Sequence, residues 1–155
     1  KAQSGLSLKL YNLFGDMTFV VDRINNVRAA LDDRASKVAA SEPLGQRLRT
    51  ASMRADEFRK KIVATKEGGM ITGEERLYEY LSSLYGGVMG YEGRPSQAQV
   101  ERTDAIAREL DDVARDFDAW ANKELADVNK GLAKQKLEKI MPLTRQEWEK
   151  RDTQQ

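Results

Sequence analysis

The chain has 155 residues, 40% of them hydrophobic and 33% charged, with only three prolines, a balance that suits long helices bearing one apolar stripe. It contains no cysteine and no histidine, which excludes disulfides, thiolate metal sites and cysteine nucleophiles and leaves any enzyme to work with carboxylates, lysine or tyrosine. The 26 basic and 25 acidic residues give a net charge of +1, without the basic excess of a nucleic-acid-binding domain.

The first helix is expected from near Ser4 or Ser7 to about Ala40. Its apolar positions Leu6, Leu10, Leu13, Met17, Val20, Ile24, Val27, Leu31 and Val38 step mostly by three and four, the spacing of a helix packed along its length. Glu42-Pro43 ends it, because the residue before proline disfavours helix. A second helix starts at about Pro43 with the stripe Leu44, Leu48, Ala51, Ala55, Phe58 and Ile62. Its small residues let a neighbour approach closely, and Gly68-Gly69 is expected to end it.

Thr72 and Glu75 read as a capping box for a third, short helix carrying Leu77, Leu81, Leu84 and Val88. That helix runs into a glycine-rich stretch from Gly86 to Gly93, expected to form a wide turn in which glycines supply positive φ angles. Ser96 and Gln99 form a second capping box at the head of a long fourth helix. Its stripe is Val100, Thr103, Ala107, Leu110, Ala114, Phe117, Ala121, Leu125, Val128 and Leu132. Met141-Pro142 breaks any continuation. Thr144 and Glu147 can cap a last short helix with Trp148, and residues 152–155 read as a frayed tail.

The expected fold is all-α: an up-and-down four-helix bundle over residues 1–132, with two long helices paired antiparallel and two shorter ones at their sides. Residues 133–155 form a C-terminal extension, packed on the bundle or partly disordered. Seven basic and three acidic residues between 41 and 66, against five and nine between 96 and 132, favour helices two and four as neighbours. No apolar run reaches the roughly 18 residues of a membrane span. Because it begins with Lys1, the chain reads as a piece of a longer protein.

No chemical centre emerges from these patterns. Asp104, Glu109, Asp111, Asp112, Asp116, Asp118, Glu124 and Asp127 crowd the fourth helix, but a di-iron bundle needs Glu-x-x-His pairs, and most of these acids fall off the apolar stripe. The loop Gly86–Arg94 has neither the Gly-Lys-Ser/Thr ending nor the preceding strand of a phosphate cradle. Arg54, Arg59, Lys60 and Lys61 offer a basic run for an anion or an acidic neighbour. Tyr78, Tyr85 and Tyr91, with Arg94, are the candidate contact patch, since tyrosine is large, semi-polar and common in interfaces. Trp148 is expected to dock on the bundle or on a neighbouring domain. No metal, catalytic or cofactor-binding residues are assigned.

Leu8-Lys9-Leu10-Tyr11-Asn12-Leu13, Ile24-Asn25-Asn26-Val27-Arg28 and Leu77-Tyr78-Glu79-Tyr80-Leu81, followed by Gly90, Arg94-Pro95-Ser96 and Gln99, carry a family resemblance. Together with Glu124-Leu125-Ala126-Asp127-Val128-Asn129, they resemble the helical C-terminal region of bacterial BNR-repeat, sortilin-like β-propeller proteins, often labelled glycosyl hydrolases. The likeness covers most of Leu8 to Leu132. It implies a non-catalytic accessory domain of a larger exported, periplasmic or cell-surface protein. It would contact its own propeller domain, another protein or a second copy of itself. The alternatives are a carboxylate-based enzyme domain and a bundle that binds anions or a membrane surface.

Overall fold

The computed structural model describes residues 2–64, 76–90 and 93–153. The fold is all-α, with five helices and no strand among the described residues: α1 (Ala2–Ala35), α2 (Pro43–Lys60), α3 (Leu77–Met89), α4 (Gln97–Lys134) and α5 (Arg145–Thr153). Among those residues no helix is long and apolar enough to cross a membrane. The chain divides into two compact units, Lys1–Thr18 with Lys60–Ala114 and Phe19–Arg59 with Arg115–Gln155.

In the first unit α1 buries Leu6, Leu10, Leu13 and Met17, α3 buries Leu77, Leu81, Leu84 and Val88, and α4 buries Ile106, Leu110 and Val113. Leu110 belongs to the expected α4 stripe and Ile106 and Val113 widen it, while Ala107 and Ala114 are only half-buried. Thr103 is fully buried, and its hydroxyl donates to the Gln99 carbonyl at 2.8 Å, so its burial leaves no unpaired donor. Ser7 of α1 lies against Met89 of α3, and Phe14 lies against Tyr78 and Tyr85; α1 and α3 therefore run antiparallel.

The start of α4 is as expected, with the Gln99 amide N–H donating to Ser96 Oγ at 3.1 Å and the Ser96 N–H to Gln99 Oε1 at 3.0 Å. The expected Thr72–Glu75 box lies outside the described residues, as do Gly68 and Gly69. α2 stops earlier than they would allow, at Lys60. Glu79 is the side chain that organises the start of α3. Its two carboxylate oxygens accept the N–H groups of Ala64 and Arg76, each at 3.1 Å. The glycine-rich turn is corrected in part: Gly86 and Gly87 lie inside α3, and Gly90 caps it with φ −83°, so the turn draws on no positive φ at these three glycines.

In the second unit α1 ends at Ala35, earlier than Ala40, although Val38 stays buried in the turn that follows. Arg28 pairs with Asp56 at 3.3 Å, and Ser52 donates to Asp32 at 2.6 Å, so α1 and α2 run antiparallel. Arg47 pairs with Glu124 and Asp127, and Phe58 meets Phe117 and Trp120, so α2 and α4 also run antiparallel. The expected neighbours α2 and α4 are adjacent. The two long helices, by contrast, run parallel here, because both oppose α2. Antiparallel pairing fails because the helices that come between them, α3 in the first unit and α2 in the second, both oppose α1, so α4 starts in the direction of α1.

α4 ends in a Schellman turn, with Leu137 N–H bonded to the Leu132 carbonyl at 2.9 Å and Lys136 N–H to that of Ala133 at 3.1 Å. Lys136 has φ 58°, the left-handed conformation that glycine usually fills. The following non-helical segment is bonded by side chains. Asn129 takes both backbone groups of Ile140 at 2.8 and 3.0 Å, Asn26 accepts the Leu143 N–H at 3.1 Å, and the Arg23 and Arg34 guanidinium groups donate to the carbonyls of Leu143 and Glu138. Ile140 and Leu143 are buried, so this segment packs within the unit. α5 reaches Thr153 behind the expected Thr144–Glu147 cap.

Two helical glycines should respond to alanine in opposite ways. A Cβ at Gly45 would sit 2.4 Å from the Ala39 carbonyl oxygen, whereas one at Gly86 would meet nothing within 4 Å among the described residues. Urea denaturation should show Gly45→Ala destabilising the chain by about 1–3 kcal/mol and Gly86→Ala stabilising it by about 0.5–1 kcal/mol. The same titration should give Lys136→Gly a gain of about 1 kcal/mol, since it relieves a left-handed lysine.

Candidate interaction surfaces

The acidic helix disperses its charge. Asp104 pairs with Lys9, Asp118 with Arg23 at 3.0 Å, and Glu124 and Asp127 share Arg47 at 2.9 and 3.1 Å. The Lys9 hydrogen bond holds the Asp104 carboxyl below its ordinary range. The Glu124 hydrogen bond, with help from Asp127, raises the Arg47 guanidinium above its own. Asp33 is likewise held low, by Arg34 first and then Lys37. These are ion-pair effects on largely exposed groups, not the mutual perturbation of two acids sharing a proton. Among the described residues no three or more acids are grouped to hold a metal ion.

The basic run is compensated close to home. Arg54 pairs with Glu57 at 2.5 Å and lies over the Phe58 ring at 4.9 Å, and Arg59 pairs with Asp56 at 2.6 Å. Phe58 is buried in the aromatic group with Phe117 and Trp120, and Lys60 and Lys61 also have interactions within the chain. The run therefore presents less free positive charge than its composition suggests.

The tyrosine candidates separate. Tyr78 and Tyr85 stand two turns apart on α3 and meet Phe14 edge-on, with centroids 6.1 and 5.5 Å away. Tyr78 remains 44% exposed, while Tyr85 is half-buried. Tyr91 lies outside the described residues, and Arg94 is exposed. Trp148 belongs to the second unit and is turned onto its own chain. Its indole N–H donates to Asp22 at 2.7 Å, its ring packs on Phe19 at 5.6 Å, and Arg145 lies over both rings.

Leu8 and Tyr11 on α1, 61% and 69% exposed, were not among the expected contact residues. Their signal was present, since both fall on the side of α1 away from Leu6, Leu10, Leu13 and Met17. Beside Leu8 runs a groove of about 330 Å³, lined in part by Gly5, Asn12, Leu13 and Ala107. Leu8, Tyr11, Tyr78 and Met89 all belong to the first unit. Ser7 meets Met89 and Phe14 meets Tyr78, so Tyr11, Tyr78 and Met89 lie along neighbouring edges of α1 and α3, while Leu8, one turn before Tyr11, faces outward and borders the groove with Ala107. Tyr80, also exposed, sits on the other flank of α3.

No family model, curated protein or solved structure matches the chain.

Trp148 attaches α5 to the unit through Asp22 and Phe19. Trp148→Ala should raise amide hydrogen exchange across residues 145–153 by about tenfold or more, while leaving α2 and the body of α4 protected. Uniformly faster exchange would mean that α5 supports the whole unit.

Proposed function

We propose that this chain is a non-catalytic interaction module whose contact surface is the aromatic and aliphatic strip formed by Leu8, Tyr11, Tyr78 and Met89. The observation that carries the reading is the concentration of large exposed apolar side chains in the first unit, with Tyr11, Tyr78 and Met89 on adjoining edges of two helices and Leu8 one turn from Tyr11. Single exposed leucines are ordinary, but a contiguous group of this kind favours a partner. Tyrosine and methionine suit the role: tyrosine gives area and a polar tip at low entropy cost, and methionine adapts to the facing shape. The pairing of acids and bases within each unit is consistent with surfaces that hold rather than transform. Following the family resemblance, the module belongs to a larger exported β-propeller protein and contacts that protein, another one or its own copy.

A photo-crosslinking amino acid placed at Tyr11 or Tyr78 in the protein in its own cells tests the reading. Both positions should give discrete adducts, and the exposed position Lys123 in the second unit should give none. Absence of adducts at Tyr11 and Tyr78 would remove this surface as the site of interaction.

A further inference from the structure

We propose that the outward face of α1 between Gly5 and Asp16 binds the same face of a second copy of this chain, antiparallel about a twofold axis near Asn12. The inference deepens the interaction reading and rests on it. Leu6, Leu10, Leu13 and Met17 turn inward from this stretch. On the opposite side Gly5, Leu8, Asn12 and Gly15 recur at steps of three and four, which is the spacing of a second helical seam. Leu8 projects from it, and a Cβ at Gly5 or Gly15 would meet nothing within 4 Å among the described residues. A neighbouring helix can therefore approach closely at both glycines, with Leu8 as the knob between them.

Charge selects the occupant and its direction. Lys9 and Asp16 stand two turns apart on one edge of this seam, and both border the groove. Across an antiparallel helix pair, residues of the same edge meet; across a parallel pair, opposite edges meet. A twofold axis near Asn12 brings Lys9 to the partner's Asp16, and symmetry repeats the pair. The same axis brings Leu8 to within one residue of the level of the partner's Gly15. Such self-complementarity is what an isologous interface requires. Lys9 already donates to Asp104, and an ammonium has donors for a second acceptor. Asp16 also has an interaction within the chain, and a carboxylate accepts several hydrogen bonds.

The stretch from Gly5 to Asp16 is only about 18 Å long, so it covers less than the roughly 800 Å² per partner of a standard interface. Association should be weak, with a dissociation constant on the order of 10–100 µM.

Sedimentation equilibrium of the full chain, from about 1 µM to about 1 mM, tests this. A monomer–dimer equilibrium in that range is expected. Leu8→Glu should weaken it by about tenfold or more with an unchanged thermal melt. Lys9→Glu and Asp16→Lys should each weaken it, and the double variant should recover most of the loss. A strict monomer throughout would overturn the proposal, as would a dimer indifferent to Leu8→Glu or a double variant no better than the singles. In the crosslinking experiment, an adduct at Tyr11 of twice the mass of the protein that carries this chain supports self-association. Adducts only of other masses would overturn it and leave the interaction reading standing, whereas no adduct at either tyrosine would defeat both.

Discussion

The inward seams of α1 and α4 are what the rest of the structure depends on. Each helix contributes residues to both units, and each keeps its apolar side chains at steps of three and four across the division. Leu10, Ile24, Val27 and Leu31 of α1 and Ala121, Val128 and Leu132 of α4 are fully buried. Each large aliphatic side chain hidden in this way contributes about 1.5–3 kcal/mol. An exposed ion pair contributes about 0–1 kcal/mol. Burial therefore supplies the stability.

The charged contacts do a different job, selecting neighbours and directions. Arg47 joins α2 to α4 through two carboxylates, and Asp56 joins α2 to α1 through Arg28 while holding Arg59. One cost is visible in that cluster. Among the described residues the buried Arg28 Nε has no hydrogen-bond partner, although its terminal nitrogens reach Asn25 and Asp56. After Lys136, side chains take over what a helix does for itself. Asn26, Asn129, Arg23 and Arg34 satisfy the backbone of a segment that has no ladder of its own.

Local chemistry made most of this fold legible. The stripes of α1, α2 and α3 were readable because helical periodicity records which residues point inward, and the Ser96–Gln99 and Thr144–Glu147 caps because each needs only residues three apart. The direction of α4 relative to α1 was hidden, because stripe and charge are nearly indifferent to polarity and the answer lies in α3 opposing α1 as α2 does. The helical state of Gly86 and Gly87 was missed because glycine's freedom permits a turn without requiring one. The left-handed Lys136 carries no sequence signal at all, since the usual marker is glycine. For the candidate surface, Tyr78 and Tyr85 were singled out by residue type. Leu8 and Tyr11 were passed over because a leucine-rich segment reads first as core, and only its phase against Leu6 and Leu10 shows otherwise. Trp148 was read as a docking residue and is engaged with Asp22 and Phe19 of its own chain.

Glu79 holds the amides of Ala64 and Arg76 on the two oxygens of a single carboxylate. One acidic side chain thus carries two backbone partners that are distant in sequence, so its replacement would release the amide that precedes α3 and the amide that follows α2 together.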